Sequence, residues 1–294
     1  MPLVYACICP QTLATPPETK SNPAVEALRS TGALPPDEAQ PLAEALRFSE
    51  ALSRIAGELS SHRPETVLLI SSPGPGLQAA RGIGLLTASE VAGDFAELDA
   101  PETQFAFETD LELAELIQQE AAEANPRLES LLRWDGGRNA ALYCLREAMA
   151  ETRLLPMATC RLEPRFHFDL GQAVGRALTR YERRVAVICS ADLAHALKAH
   201  QRSGRLFDEQ YQRAIATWDV KWLVGLESDY RRDAAEDGVP QTAILMGALS
   251  GYRIQPRLLS YESPAGVGRV VAAIDVLGPR REAVAGTERA ESHA

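Results

Sequence analysis

The sequence predicts a single α/β domain with a central, largely parallel or mixed sheet flanked by helices. Three unbroken apolar runs carry this prediction, at residues 3–9, 66–70 and 185–189. Such runs are typical of strands that are buried on both faces of a parallel sheet. Helical periodicity separates the strands, and neither a repeat nor a linker divides the chain. We therefore expect one domain over residues 1–278 and a charged, Ala-rich, disordered tail over 279–294.

Composition excludes several classes of function. Hydrophobic residues make up 46% of the 294 residues, the net charge is -10 and the pI is about 5.1. No apolar run approaches the ~20 residues of a membrane span, and the first residues lack the basic segment of a secretion signal. The acidic balance argues against nucleic acid as a partner. Five scattered cysteines without zinc spacing suit reduced thiols, so we expect a cytoplasmic protein.

The remaining elements follow from periodicity and from helix-start signals. We predict further strands at 82–86, 154–160, 257–262 and 267–274, and helices at 37–61, 109–124, 139–151, 168–178, 207–226, 228–236 and 242–249. Capping boxes, Asp37 with Gln40 and Thr109 with Glu112, open the first two helices. Residues 12–36 form a long loop, which is uncommon without a role.

Small residues and aromatic residues add three local expectations. Gly171 and Gly175 favour close packing of their helix on the sheet. The 71–76 stretch SSPGPG lacks the GK[ST] of a phosphate loop, and its prolines remove backbone donors, so a plain turn is favoured. Trp218 and Trp222, four residues apart, indicate a core stripe rather than a binding platform.

A candidate site follows the strand at 185–189. The strand stops at Ser190, and the next residues present an acid, Asp192, and an imidazole, His195. Ligands of open α/β sheets bind at the carboxyl edge of the strands, which favours a site here. The alternative is a helix with Ser190 or Asp192 as its N-cap and His195 in its first turn.

Six stretches together resemble one family. They are ICPQ at 8–11, SSPGP at 71–75, WDGG at 134–137, CSADLAHAL at 189–197, AAEDGVPQTAILMGALSG at 234–251 and SYESPAGVGRVVAAI at 260–274. In content and order they resemble the class III extradiol ring-cleavage dioxygenases of the LigB catalytic-subunit type, and their Memo-like relatives. The resemblance covers about residues 1–277, and SADLAH and YESPAGVG are its most specific parts.

The resemblance implies a non-haem Fe(II) enzyme that opens catechol-type aromatic rings. Two histidines and a carboxylate would hold the iron, and a separate histidine would act as acid and base. Residue by residue, His195 matches the acid/base histidine, with Asp192 at the acid of its motif, and Glu236 matches the carboxylate ligand. The two ligand histidines are replaced by Gln11 and Gly74.

Other histidines do not restore the ligand set. A further site histidine of the family is replaced by Gly136, and His62 precedes the second strand, at the opposite edge of the sheet. The leading hypothesis is therefore a LigB-type protein with a degenerate metal site and no iron as purified. It would bind a small aromatic or related molecule, or act as a partner subunit, in a homodimer or in a heteromer with an active subunit. We also expect His195 and Glu236 to be partly buried in one cleft.

Two other hypotheses remain open. One is an active dioxygenase whose Fe(II) is held by a rearranged set of ligands that includes Cys9. The other is a metal-free hydrolase or isomerase with His195 as the base and Asp192 or Glu236 as its partner. Ser190 and Cys189 are the nucleophiles that this reaction would have available.

Overall fold

The computed structural model describes residues 2–12, 36–73, 82–98, 100–124, 128–134, 139–195, 202–263 and 266–280. The strands within these residues are β1 (Leu3–Cys9), β2 (Thr66–Ser71), β3 (Ile83–Leu86), β4 (Glu90–Phe95), β5 (Ala100–Glu108), β6 (Leu128–Leu131), β7 (Arg153–Ala158), β8 (Val185–Ser190), β9 (Asp192–Ala194), β10 (Glu236–Asp237), β11 (Tyr252–Glu262) and β12 (Arg269–Pro279). The α-helices are α1 (Pro36–His62), α2 (Leu111–Ala124), α3 (Ala140–Leu145), α4 (Pro164–Arg180), α5 (Arg202–Thr217), α6 (Val220–Val224), α7 (Ser228–Ala234) and α8 (Val239–Ala248).

One mixed sheet organises the fold. Its strand order is β10-β9-β12-β1-β8-β2-β7-β3-β6, and β11 pairs with the other side of β12. β1, β8, β2 and β7 are parallel, whereas β12 runs antiparallel to β1. The tips of β1, β2 and β8 therefore meet at one edge, as the sequence predicted. The expected α/β architecture with a mixed sheet is confirmed.

Helices cover both faces of the sheet because its central strands are apolar on both sides. Along β1, Ala6 and Ile8 pack into a core formed with α2, α4, α5 and α8. The alternating residues Cys7 and Cys9 pack into a second core formed with α1, α3 and the small β4–β5 sheet. Among the described helices, none is long and apolar enough to cross a membrane.

A close contact between α4 and α8 positions one wall of the candidate site. A Cβ added at Gly171 would lie 2.2 Å from the carbonyl oxygen of Ile244, and one at Gly247 would lie 2.2 Å from that of Phe168. The prediction that Gly171 and Gly175 pack on the sheet is therefore wrong, because their close partner is α8. This contact holds α8 with its N-terminus at the carboxyl edge.

Several predicted elements differ in their details. Asp110, not Thr109, caps α2, because its Oδ1 accepts the amide hydrogen of Leu113 at 3.0 Å. The helix predicted at 207–226 is two helices, interrupted at Trp218 with φ of 54°. Trp218 and Trp222 do pack against the core, as expected. The helices predicted at 139–151 and 228–236 stop at 145 and 234.

Five of the described strands were not predicted from the sequence, namely β4, β5, β6 and the short strands β9 and β10. β4 and β5 form a two-stranded sheet of their own, and β6 is the last strand at one end of the main sheet. The N-cap alternative for the residues after β8 is wrong, because 192–194 form the short strand β9. Residues 13–35 of the loop predicted at 12–36, the side chains of the first capping box and the tail from residue 281 lie outside the described residues.

Gly171→Ala should destabilise the protein, because the new methyl group overlaps a backbone oxygen that cannot move alone. We expect the free energy of unfolding in urea to fall by about 3 kcal/mol or more. Gly57→Ala in α1 is the matched control, because a Cβ there meets nothing within 4 Å. It should be neutral or stabilising by up to about 1 kcal/mol. Equal effects of the two changes would contradict the proposed helix contact.

Candidate functional site

A cavity of about 750 Å³ opens at the carboxyl edge of the sheet. It lies where ligands of open α/β folds bind. Strand tips and the segments that follow them build its walls. The lining includes Gln11, Ser71–Pro73, Trp134, Asn139, Thr159–Glu163, Arg231, Arg232 and Ala235–Asp237.

Asp192 fastens the tip of β1 to β9. It is 1% exposed, and its Oδ1 accepts the backbone N–H of Gln11 at 2.9 Å. Its Oδ2 accepts the hydroxyl of Thr12 at 2.5 Å, and the buried Arg269 donates to the same Thr12. Burial raises the pKa of the Asp192 carboxyl, against the opposing effects of Thr12 and Arg269. The contacts of Asp192 thus place Gln11 at the predicted edge.

His195 lies at the end of β9 on the same edge. Its backbone N–H donates to the carbonyl of Ala235 at 3.2 Å, and its Nδ1 lies 3.1 Å from the same oxygen. A proton on Nδ1 therefore leaves Nε2 as the acceptor. The expected polar neighbour is present. The side chain is exposed, however, and is not among the described residues that line the cavity, so the expected burial of His195 is wrong, whereas Glu236 is partly buried at the cavity wall as expected.

Glu236 lies in β10 at the cavity wall, and both of its carboxylate oxygens are engaged. Oε1 accepts from Nε of Arg231 at 2.6 Å, in an ion pair whose side chains are 2% and 17% exposed. Oε2 accepts the backbone N–H groups of Gly238 and Val239 at 2.9 and 2.8 Å. These are N–H groups at the start of α8, which have no partner inside the helix. The carboxylate therefore caps α8 and neutralises Arg231.

Asp237 is a cavity residue that the sequence analysis missed. Its Oδ1 accepts the hydroxyl of Ser72 at 2.6 Å, and the amide of Gln241 donates to that hydroxyl oxygen at 2.5 Å. Burial raises the pKa of Asp237 to about 6. The contact ties the segment after β2 to the start of α8. Gly74 and Gly136 lie outside the described residues, although Ser72 and Pro73 reach the cavity.

The cysteines at the tips of β1 and β8 are buried thiols. Cys9 lies 3.9 Å from the sulfur of Cys7 in the core beneath α1, and this contact and burial raise its pKa well above the usual value. Burial raises the pKa of Cys189 to about 12. Neither is among the described residues of the cavity wall. The geometry therefore favours neither Cys9 as a metal ligand nor Cys189 as a nucleophile.

Within the described part of the chain, the donors at this edge do not fit the iron that the resemblance implies. Among the described residues, no group of three or more His, Cys, Asp or Glu side chains could hold a metal ion. Gln11 offers an amide, and the carboxylates of Asp192 and Glu236 are held by other groups. The segment 74–81, GPGLQAAR, contains no metal-ligating acid, imidazole or thiol. A facial triad needs two imidazoles and a carboxylate.

Two polar atoms of the cavity wall are buried without a hydrogen-bond partner among the described residues. They are Oε1 of Gln11, an acceptor, and Nε1 of Trp134, a donor. Buried polar groups are nearly always paired, so such exceptions indicate a bound molecule or solvent. The WDGG motif pointed to Trp134 only as part of a turn.

Comparisons with known proteins agree with this architecture. Protein CA_C1420 of Clostridium acetobutylicum is 23% identical over 243 residues, which are 77% of this chain and 52% of that protein. The chain thus spans about half the length of this curated relative. The crystal structure of the uncharacterized protein JW3007 from Escherichia coli K12 is similar with a TM-score of 0.58 at 12% identity, covering 92% of this chain and 99% of that one. This similarity supports the fold.

A family model provides the assignment. The model for the catalytic LigB subunit of aromatic ring-opening dioxygenase matches residues 33–272, which run from the segment before α1 into β12. The match includes His195 and Glu236, whereas Gln11 precedes it. Because the matched residues make up most of the chain, the protein belongs to the LigB family of aromatic ring-opening dioxygenase subunits.

Proposed function

We propose that this LigB-family chain has lost iron-dependent ring opening and binds a small aromatic or related molecule in the cavity. The observation that carries the proposal is the state of Glu236, the remnant ligand. One oxygen pairs with Arg231 and the other caps α8. Gln11 and Gly74 stand where the resemblance expects imidazoles. A facial triad needs two imidazoles and a carboxylate. This site has no imidazole at those two positions, and the carboxylate of Glu236 is already held by other groups.

The cavity itself supports a binding role. Its volume of about 750 Å³ lies within the ~300–1,000 Å³ range of small-molecule sites. Trp134 offers an aromatic surface and an N–H, and Gln11 offers an amide oxygen, and neither polar atom has a partner among the described residues. A ligand that carries both an acceptor and a donor would pair with both groups.

A partner subunit is the other part of the proposal. The family resemblance favours a homodimer or a heteromer with an active subunit, and the curated relative is about twice as long as the matched stretch. Size-exclusion chromatography with light scattering on the chain alone should give a dimer. A monomer at micromolar concentration would leave only the heteromer, and co-purification with an active LigB-type subunit would then be required.

The metal prediction tests the proposal most directly. The purified protein should contain no stoichiometric iron by elemental analysis and should show no catechol-dependent oxygen uptake, because both imidazoles are missing. Gln11→His combined with Gly74→His restores the two imidazoles but should recover only weak Fe(II) binding, because Arg231 and the start of α8 hold both oxygens of Glu236, the third ligand. Gln11→Ala combined with Gly74→Ala is the matched control and should bind no more iron than the unmodified protein. Tight iron and catechol-dependent oxygen uptake in the unmodified protein would overturn the proposal.

Glu236→Gln should reveal whether this carboxylate is a structural group. Its loss leaves the half-buried Arg231 without the counter-charge of Glu236 and weakens the cap of α8. We expect the free energy of unfolding in urea to fall by about 2 kcal/mol. Glu227→Gln is the control, because Glu227 precedes α7 without a side-chain capping bond. If Glu236→Gln kept full stability but lost bound iron, Glu236 would be a metal ligand instead.

A further inference from the structure

A second pair of chemically active side chains lies at the same cavity, away from the residues that the family resemblance singles out. Cys160 follows β7, is 6% exposed and lines the cavity. His167, in the first turns of α4, is fully buried behind it. The sulfur of Cys160 lies 3.9 Å from Nε2 of His167. A thiol in contact with an imidazole that is itself oriented is the arrangement of an activated nucleophile.

Hydrogen bonding sets the tautomer of His167. The backbone N–H of Cys160 donates to Nε2 at 3.4 Å, which makes Nε2 an acceptor. The proton is therefore on Nδ1, which donates to the carbonyl of Glu163 at 3.2 Å. The single lone pair of Nε2 is shared between this long N–H contact and the thiol, whose sulfur lies 3.9 Å away, and the Glu163 carbonyl orients the ring as the third member of a triad does.

The imidazole is neutral at physiological pH. Burial lowers the pKa of His167 to about 4, and the charge of Arg231 acts in the same direction. The packed helix α8 brings no titratable side chain over Val239–Ala248, and Glu120 of α2 pairs with Arg176 and Arg180 farther along α4. A neutral imidazole is the form that accepts a proton.

Addition to a conjugated carbonyl requires fewer groups in the cavity than acyl transfer does. An acyl-transfer site needs a set of donors for the tetrahedral oxyanion and a route for water to the acyl group. Addition to a conjugated carbonyl needs less, namely a nucleophile, a proton acceptor and one donor for the carbonyl oxygen. Trp134 supplies that donor, because its N–H is buried at the cavity wall without a partner among the described residues.

We propose that Cys160 and His167 form a nucleophile–base pair that captures a small α,β-unsaturated carbonyl compound in the cavity. The S–H bond breaks as Nε2 takes the proton, and the sulfur bonds to the β-carbon. The π electrons move to the carbonyl oxygen, which Trp134 stabilises, and the imidazolium returns the proton to the α-carbon. The thioether contains every atom of both reactants, and no oxidant or reductant takes part.

Labelling of the unmodified full-length protein with N-ethylmaleimide, itself an α,β-unsaturated carbonyl compound, tests the pair. Tryptic peptides 154–161 and 139–146 separate Cys160 from Cys144 for mass spectrometry. Cys144 is the internal control, because it is half-buried outside the cavity and burial raises its pKa to about 12. We expect Cys160 to react at least ~10-fold faster, since general-base assistance is commonly worth 10²–10⁴-fold.

The pH profile separates base catalysis from simple exposure of the thiol. A thiol assisted by a neutral imidazole with a pKa of about 4 reacts at a nearly constant rate between pH 5 and 7. A free thiol reacts through its thiolate, so its rate rises about tenfold per pH unit in this range. Cys160 should show the flat profile and Cys144 the steep one. A steep profile for Cys160, or labelling no faster than that of Cys144, would overturn the proposal.

Two variants test the roles of His167 as the base and of Trp134 as the donor. His167→Gln keeps an acceptor for the Cys160 amide but removes the base, so labelling of Cys160 should slow by ~10-fold or more and become steep with pH. The Cys144 rate reports folding, because unfolding would accelerate it. Trp134→Phe should slow maleimide addition but not alkylation by iodoacetamide, which has no conjugated carbonyl. Unchanged rates at Cys160 in a folded His167→Gln protein would refute the pair, whatever the iron content proves to be.

Discussion

Carboxylates at the edge of a buried sheet must find local partners, and this constraint shapes the whole site. Asp192, Glu236 and Asp237 all lie where β1, β2 and α8 converge, and the protein satisfies each one differently. Asp192 accepts a hydrogen bond from the tip of β1, and Asp237 accepts one from Ser72. Glu236 accepts hydrogen bonds from Arg231 and from the start of α8. A charge left unpaired in such a position would cost several kcal/mol. Through their hydrogen bonds, the three acids therefore join separate segments of the chain around the cavity.

Sequence patterns predicted the central strands well because burial there is complete. β1 and β8 are apolar throughout, and every residue of β8 is buried. β4 and β5 were missed for the opposite reason. Their sequences, EVAGDF and APETQFAFE, expose most of their polar residues and bury scattered apolar ones. Such strands are stabilised by pairing with each other and by one apolar face on the core, which a short window of sequence does not reveal.

In the candidate site, the sequence predicted where residues lie better than it predicted which groups they contact. The sequence located Asp192, His195 and Glu236 at one edge, but their partners are set by folding. Thr12 lies 180 residues from Asp192, and the partners of Glu236 include backbone N–H groups that no motif records. Cys160 and His167 are only seven residues apart. Their contact depends on α4 beginning between them, so the spacing alone carried no signal.

A cavity at this edge does not depend on a metal. Its walls include the ends of parallel strands, the segment before α4, residues of α7 and the start of α8. Glycine contacts such as that of Gly171 with Ile244 hold α4 and α8 together. Of the two positions where the resemblance expects imidazoles, Gln11 lines this cavity. Function resides in sites placed on a fold rather than in the fold itself. The side chains that remain at the wall, the indole N–H of Trp134 and the thiol of Cys160, then decide what chemistry the cavity can perform.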